Sequence, residues 1–260
     1  MFWYDGILHE NNSINISITS PSLLYGATVF STMRLYQGSL NHPLTQWPAH
    51  CSRINSSIKL FGWSEPDWSD LKKGAQILGQ NYPILRLTIF PEGQSLITGR
   101  NLPLDLDIIQ QKGIKGFVAK DRIYQRAIGE HKTGNYLGPW LAKSQGYREA
   151  ILINRLGQWL ETSSGNLWGY CNGTFYTPPL DGDVLPGIAR NYLLSCLQAN
   201  KINYQEIVWD LALINKLEMI GYSNSVVEIV PFETIVSDGQ VLTIDPQHPA
   251  YSLLRQYYQY

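Results

Sequence analysis

His131-Lys132-Thr133-Gly134-Asn135-Tyr136-Leu137 and, further on, Glu161-Thr162-Ser163-Ser164-Gly165-Asn166-Leu167-Trp168 are the passages from which the rest of the chain can be read. Between them, Tyr136 to Gln145 reads as a helix and Glu149 to Asn154 as a strand that turns at Leu156-Gly157. One amine, on Lys132, and one carboxylate, on Glu161, are thus carried by neighbouring elements that can face each other. An amine that forms a Schiff base and a carboxylate that holds a ring nitrogen protonated need such an arrangement. A surface lysine and a strand-end glutamate look the same in isolation, so the remainder of the chain has to discriminate.

The composition narrows the classes. A chain of 260 residues suits one large or two modest domains and is long enough to bury a core. Hydrophobic residues make up 44% and charged ones 16%, which places it among globular rather than disordered sequences. A net charge of −1, with no block of like charges, argues against a general nucleic-acid binder or a membrane-surface patch. The N-terminus Met1-Phe2-Trp3-Tyr4-Asp5-Gly6 lacks the basic start and apolar run of a signal peptide, and no apolar stretch approaches a membrane span. Cys51, Cys171 and Cys196 are odd in number and scattered, without a C-x-x-C pair. They read as reduced thiols of a cytoplasmic protein, with no disulfide frame and no metal site.

Taken in order, Met1 to Leu8 is a plausible first strand, and Ser13 to Ile18 has the period of two expected of a half-buried strand. The block Tyr25 to Tyr36 ends in a strand closed by Gln37-Gly38. On it Phe30, Thr32 and Arg34 share one face, and Ser31, Met33 and Leu35 the other. Trp47 to Phe61 and Trp68 to Leu78 read as helices, the second preceded by the start signal Ser64-Glu65-Pro66-Asp67. Leu85 to Phe90 is a buried strand. Irregular composition around Leu102-Pro103-Leu104-Asp105 marks a boundary, and from Ile114 strands and hairpins dominate, with Asn172-Gly173 a strong turn signal. Pro186-Gly187-Ile188-Ala189-Arg190 opens a helix to about Ala199. Strands near Tyr204 to Val208 and Met219 to Tyr222 follow, with a short helix from Asp210 between them. A hairpin at Ser237-Asp238-Gly239 and a helix from Pro249 to Tyr258 finish the chain. The class is mixed α and β (α+β) in two domains: residues 1–106 small and α/β, 107–113 a linker, 114–260 larger and strand-rich.

These pieces resemble the class IV, or fold type IV, pyridoxal-phosphate enzymes, which include branched-chain and D-amino acid aminotransferases and aminodeoxychorismate lyases. The resemblance covers nearly the whole chain and is strongest from Glu149 to Arg190. It implies fold type IV, pyridoxal 5'-phosphate as cofactor held by the larger domain, a small-molecule substrate and a homodimer. Lys132, in the family's Lys-x-x-Asn context, becomes the Schiff-base lysine and general acid/base, whereas Lys143 has no such context and is expected to be solvated. Glu161 matches the acidic residue beneath the pyridine nitrogen, followed by the family's small-residue run. His50-Cys51-Ser52-Arg53-Ile54-Asn55-Ser56-Ser57 matches His-x-x-Arg-Leu-x-x-Ser, which makes Arg53 a phosphate contact and leaves His50 a structural residue. Gly187, Ile188 and Ala189 stand where the family has Gly-Ile-Thr at a helix start, where backbone N–H groups meet an anion. Ser223-Asn224-Ser225 resembles Ser-Gly-Thr, and Ser225 takes the phosphate-contacting hydroxyl.

The resemblance also bears on the reaction. Aminotransferases of the family carry Phe-Glu-Gly or Tyr-Glu-Val where this chain has Phe30-Ser31-Thr32, and several lyases carry Phe-Thr-Thr. Gly99-Arg100 resembles a lyase Gly-Arg, although Asn101 replaces the aromatic residue that follows it there. Aminodeoxychorismate has two carboxylates, which Arg100 with Arg34 or Arg86 can meet beside Phe30. The expectation is a lyase that converts 4-amino-4-deoxychorismate to 4-aminobenzoate and pyruvate, toward folate, with Lys132 and Thr32 catalytic. The alternative is an aminotransferase acting on branched-chain or D-amino acids.

Overall fold

A computed structural model describes residues Met1–Gln259. The backbone divides into two units, Met1–Pro103 with His131–Asn135, and Leu104–Glu130 with the chain from Tyr136 onward. The first unit is built on an antiparallel sheet in the order β2-β1-β5-β4-β3. Its strands are β1 (Phe2–Tyr4), β2 (Ile7–His9), β3 (Val29–Arg34), β4 (Ile84–Ile89) and β5 (Ser95–Arg100). Its helices are α1 (Pro21–Tyr25), α2 (Trp47–Phe61) and α3 (Trp68–Gly79). The Asp67 carboxylate accepts from the Ser69 and Asp70 N–H groups and so starts α3, while α2 stops at Gly62, which adopts φ 67°. Ile54 and Ile58 of α2 and Leu71, Ala75 and Leu78 of α3 bury themselves against Met33, Leu85, Leu87 and Ile97 of the sheet. Each large apolar side chain removed from water contributes about 1.5–3 kcal/mol, so this face holds the unit together.

The second unit carries a mixed sheet in the order β11-β10-β9-β12-β13-β6-β7-β8, with β14 paired to β13. In chain order it runs α4 (Leu106–Lys112), β6 (Ile114–Ala119), α5 (Leu137–Lys143), β7 (Glu149–Ile153), β8 (Trp159–Thr162) and β9 (Asn166–Cys171). Then come β10 (Thr174–Thr177), α6 (Ile188–Ala199), β11 (Tyr204–Glu206), α7 (Leu211–Ile214) and β12 (Met219–Asn224). The chain closes with β13 (Glu228–Ser237), β14 (Gln240–Thr243) and α8 (Ala250–Arg255). Leu193 and Leu197 of α6 and Tyr251 and Leu254 of α8 pack with Trp168, Phe175, Met219 and Ile229 of the sheet. No described helix is long and apolar enough to cross a membrane.

Three differences from the sequence expectations have physical causes. The N-terminal strand is a hairpin, β1 with β2, closed by Asp5-Gly6 with both residues at positive φ. Gln37-Gly38, Asn172-Gly173 and Asp238-Gly239 have the same conformation, the one that matches strand twist in two-residue hairpins. Ser13 to Ile18 forms no strand, and Ile18 is 82% exposed. A period of two marks a face, but a strand also needs an edge to pair with. Finally, the stretch expected as a linker, 107–113, is largely α4, which buries Leu106 and Ile109 and belongs to the second unit. The units part between Pro103 and Leu104, and residues 131–135 return to the first unit.

Candidate active site

In the first unit, register decides which side chains share a face, because residues directly opposite across an antiparallel pair point the same way. Thr32 pairs with Arg86 and Arg86 with Thr98, while Arg34 pairs with Ile84 and Ile84 with Arg100. Phe30, Thr32, Arg34, Arg86 and Arg100 therefore lie on one face of the sheet, opposite the one that carries Ser31 and Met33 toward α2 and α3. The three arginines of the sequence reading are thus brought together on one face. The Arg86 guanidinium stacks 3.7 Å from the centre of the Phe30 ring, and Arg34 sits 4.8 Å over Tyr36. Gly99, beside Arg100, has a packing reason: a Cβ there would stand 2.1 Å from the Tyr82 ring.

Residues 131–135 lie alongside the start of β3. Phe30 donates its N–H to the Lys132 carbonyl at 2.9 Å, Gly134 donates to the Thr28 carbonyl at 2.7 Å, and Thr133 bridges Val29. Lys132 Nζ lies 4.9 Å from the centre of the Phe30 ring. One face of α2 serves this region. Ser57 Oγ is 2.9 Å from His131 Nδ1, and Arg53 donates from a terminal guanidinium nitrogen to Ser31 Oγ at 2.6 Å. His50, fully buried, sits with Nδ1 2.6 Å from that same Ser31 oxygen.

In the second unit, Glu161 is the penultimate residue of β8 and is only 3% exposed. Its Oε1 accepts from Arg126 at 2.6 Å and its Oε2 from the Leu185 N–H at 3.1 Å. Arg126 also donates to the Gly129 carbonyl at 2.6 Å and lies 5.3 Å over the Tyr136 ring. Arg126 was not singled out by sequence reasoning: no short motif marks it, and its partner is 35 positions away. Around the pair, a cavity of about 340 Å³ is lined by Gln125, Leu152, Asn154, Leu160 and Asp183 among others. Behind Glu161, the buried Glu149 carboxylate accepts from the hydroxyls of Ser163 and Ser164 and from the Ala150 N–H, and so holds the run that follows Glu161. Lys143, expected to be solvated, is exposed, with its Nζ 3.9 Å from the buried Glu149 carboxylate.

The start of α6 is close by in the same unit. Gly187 is its N-cap, without a side-chain cap, and Gly187, Ile188 and Ala189 are all buried. No other residue fits at 187, since a Cβ would stand 1.9 Å from Asn166 Oδ1, and Asn166 in turn donates to the Leu185 carbonyl at 2.8 Å. The turn after β12 is built by Asn224, whose side chain accepts from the Val226 and Val227 N–H groups and donates to the Ser164 carbonyl. Ser223 is taken up by a bond from Trp168 Nε1 at 2.9 Å. Ser225, the second hydroxyl of Ser223-Asn224-Ser225, follows at the turn. Glu161, Gly187–Ala189 and Ser225 therefore cluster at one strand end of the second unit, whereas Lys132, Arg53, Thr32 and the three arginines belong to the first.

The family model for class IV amino-transferases matches residues 28–235. The branched-chain-amino-acid aminotransferase of Escherichia coli (strain K12) is 22% identical over 259 residues, 90% of this chain and 84% of that protein. The solved 4-amino-4-deoxychorismate lyase of Pseudomonas aeruginosa is 18% identical with a TM-score of 0.81, covering 98% of this chain and 97% of the other. A hypothetical aminotransferase from Mycobacterium tuberculosis, solved with α-ketoglutarate and PMP bound, is 19% identical with a TM-score of 0.79, covering 96% and 94%. At such identities the structural likeness speaks to the fold, which is fold type IV as the resemblance implied. The family match spans most of both units, and on it the chain belongs to the class IV amino-transferases, enzymes that depend on pyridoxal 5'-phosphate.

Proposed function

We propose that the protein is a lyase that converts 4-amino-4-deoxychorismate to 4-aminobenzoate and pyruvate. The observation that carries this reading is the face shared by Thr32, Phe30, Arg34, Arg86 and Arg100, with Lys132 Nζ over the Phe30 ring. A hydroxyl and three guanidinium groups on one surface suit a substrate with two carboxylates and a proton to relay. An aminotransferase is the second reading, favoured by the name of the Escherichia coli relative.

The chain's residues fit the cofactor. An uncapped, buried helix start with no room for a side chain at Gly187 suits a phosphate, and a buried carboxylate at Glu161 suits a protonated ring nitrogen. When bound, pyridoxal 5'-phosphate supplies an aldehyde that links to an amine and a ring that accepts electrons from a deprotonated carbon. Lys132 Nζ would carry that aldehyde, yield it to the substrate amine, and then move the proton at the substrate carbon bearing nitrogen. Glu161 would hold the ring nitrogen protonated. Arg53, the N–H groups of Ile188 and Ala189, and Ser225 Oγ would hold the phosphate. Arg34, Arg86 and Arg100 would bind the substrate carboxylates. Loss of that carbon's proton and cleavage of the bond to the enolpyruvyl oxygen leave an aromatic ring, and Thr32 would help protonate enolpyruvate to pyruvate. We further propose that the enzyme works as a homodimer, which sedimentation of the purified chain tests.

A parallel assay with aminodeoxychorismate, and with an amino acid plus a 2-oxo acid, separates the two readings. Clear transamination without 4-aminobenzoate sinks the lyase reading and leaves the cofactor residues standing. Within the lyase reading, Thr32→Val keeps the β-branched shape and removes the hydroxyl. It is expected to slow 4-aminobenzoate formation about 10- to 100-fold, the loss of one transition-state hydrogen bond, with cofactor absorbance unchanged. Arg53→Ala tests the phosphate site. It is expected to weaken cofactor binding about 10- to 150-fold, equivalent to a charge-assisted bond of roughly 1.5–3 kcal/mol, with near-parent turnover at saturating cofactor. An unchanged cofactor affinity would mean the phosphate lies elsewhere.

A further inference from the structure

Ser31 is fully buried, and its one hydroxyl meets two partners from the same face of α2. Arg53 donates to it at 2.6 Å, and His50 Nδ1 stands 2.6 Å from the same oxygen. Arginine has no acceptor, so Ser31 Oγ must accept from Arg53, which leaves the hydroxyl proton for His50. Nδ1 of His50 must then be the unprotonated ring nitrogen, an assignment that follows from the hydrogen-bond network. Burial, with the charges of Arg53 and Lys132 adding to it, holds the His50 pKa well below the usual imidazole range, so the ring stays neutral. Its Nε2 is buried and has no hydrogen-bond partner among the described residues. A neutral ring with Nδ1 as acceptor can do only one thing to Ser31: turn its proton inward and its lone pairs toward the guanidinium.

We propose that Ser31 is a positioning residue, oriented by His50, that holds the Arg53 guanidinium in the pose in which it meets the cofactor phosphate. The proposal rests on the reading of Arg53 as a phosphate contact. It assigns a role to the middle residue of Phe30-Ser31-Thr32, whose side chain points away from the face that carries Thr32. A hydroxyl here presents its lone pairs to Arg53 when its own proton is directed elsewhere, and His50, one helical turn before Arg53 on α2, takes that proton. Among the described residues the Ser31 hydroxyl bonds to the Arg53 guanidinium and to the histidine that orients it, so the effect is expected at the phosphate end of the cofactor.

The test titrates the full-length chain, freed of cofactor, with pyridoxal 5'-phosphate and separately with pyridoxal, which lacks the phosphate. Absorbance of the lysine-bound chromophore reports binding of each. Ser31→Ala is expected to weaken pyridoxal phosphate binding about 10-fold, or about 1.4 kcal/mol, and to leave pyridoxal binding at the parent value. Added to Arg53→Ala, it should cause no further loss. His50→Asn, which keeps an acceptor near Nδ1, should bind pyridoxal phosphate nearly as the parent does, and His50→Leu should behave like Ser31→Ala. This second pair carries the test should Ser31→Ala not fold. Equal weakening toward both ligands would overturn the proposal, since it would mean that Ser31 serves packing. Parent-like phosphate affinity in Ser31→Ala beside a loss in Arg53→Ala would overturn it and leave Arg53 in place. If Arg53→Ala also binds as the parent does, the phosphate reading fails together with the positioning role built on it.

Discussion

Lys132→Ala is expected to lower turnover by at least about 10⁴-fold while the protein stays folded. On the roles proposed for Lys132, two losses combine: the amine that would carry the cofactor, and the general acid/base, which alone is worth about 10²–10⁴. The fold survives because main-chain bonds hold the segment. Phe30 donates to the Lys132 carbonyl, Gly134 donates to the Thr28 carbonyl, and Thr133 bridges Val29. Ser57 meets the neighbouring His131. The contact of Lys132 Nζ with the Phe30 ring contributes roughly 0.5–1 kcal/mol where partly exposed, so the melting temperature should fall by only a few degrees. Borohydride reduction of the parent, followed by peptide mapping, checks the chemistry. The label belongs on Lys132, and finding it on Lys143 or any other lysine would falsify the assignment.

Glu161 is expected to show the second large effect, and on two readouts at once. Its carboxylate and the Arg126 guanidinium form a pair with side chains only 4% exposed each. Glu161→Ala leaves that guanidinium buried without its counter-ion and should cost roughly 3–5 kcal/mol in urea unfolding. Glu161→Gln keeps the volume and an acceptor for the Leu185 N–H, so its loss of stability should be smaller. Its loss of activity should not be smaller. A neutral amide cannot favour a protonated ring nitrogen, and the loss of such electrostatic stabilisation is worth about 10²–10³ in turnover. A Glu161→Gln enzyme with parent-like turnover would rule out Glu161 as the partner of the ring nitrogen, whatever its stability.

The buried pair also explains why Glu161 holds one pose. Oε1 is fixed by Arg126 and Oε2 by the Leu185 N–H, so the carboxylate has no freedom to rotate away. The serines after it are bonded to Glu149, which anchors the strand end from behind. Fixing a charged group in this way is how a site avoids reorganising when a ligand arrives. In the first unit α2 has the corresponding role, since one helical face touches both Ser31 and His131.

What the sequence by itself determined is the local grammar and the motif residues. The helices over Trp47–Phe61 and from Trp68, the strand through Phe30, and the turns at Asn172-Gly173 and Asp238-Gly239 follow from periodicity, caps and positive-φ pairs, which act within a few residues. The alternation that set Thr32 and Arg34 against Ser31 was legible for the same reason. The tertiary structure decided what depends on partners far away in the chain. Pairing register assembled Arg34, Arg86 and Arg100 on one face. Ser13 to Ile18, despite its pattern, pairs with no strand. Arg126 became the partner of Glu161, and Ser31 met His50 and Arg53, through contacts that no short motif records. A side chain's own spacing tells which way it points, but only the packed fold determines what stands there to receive it.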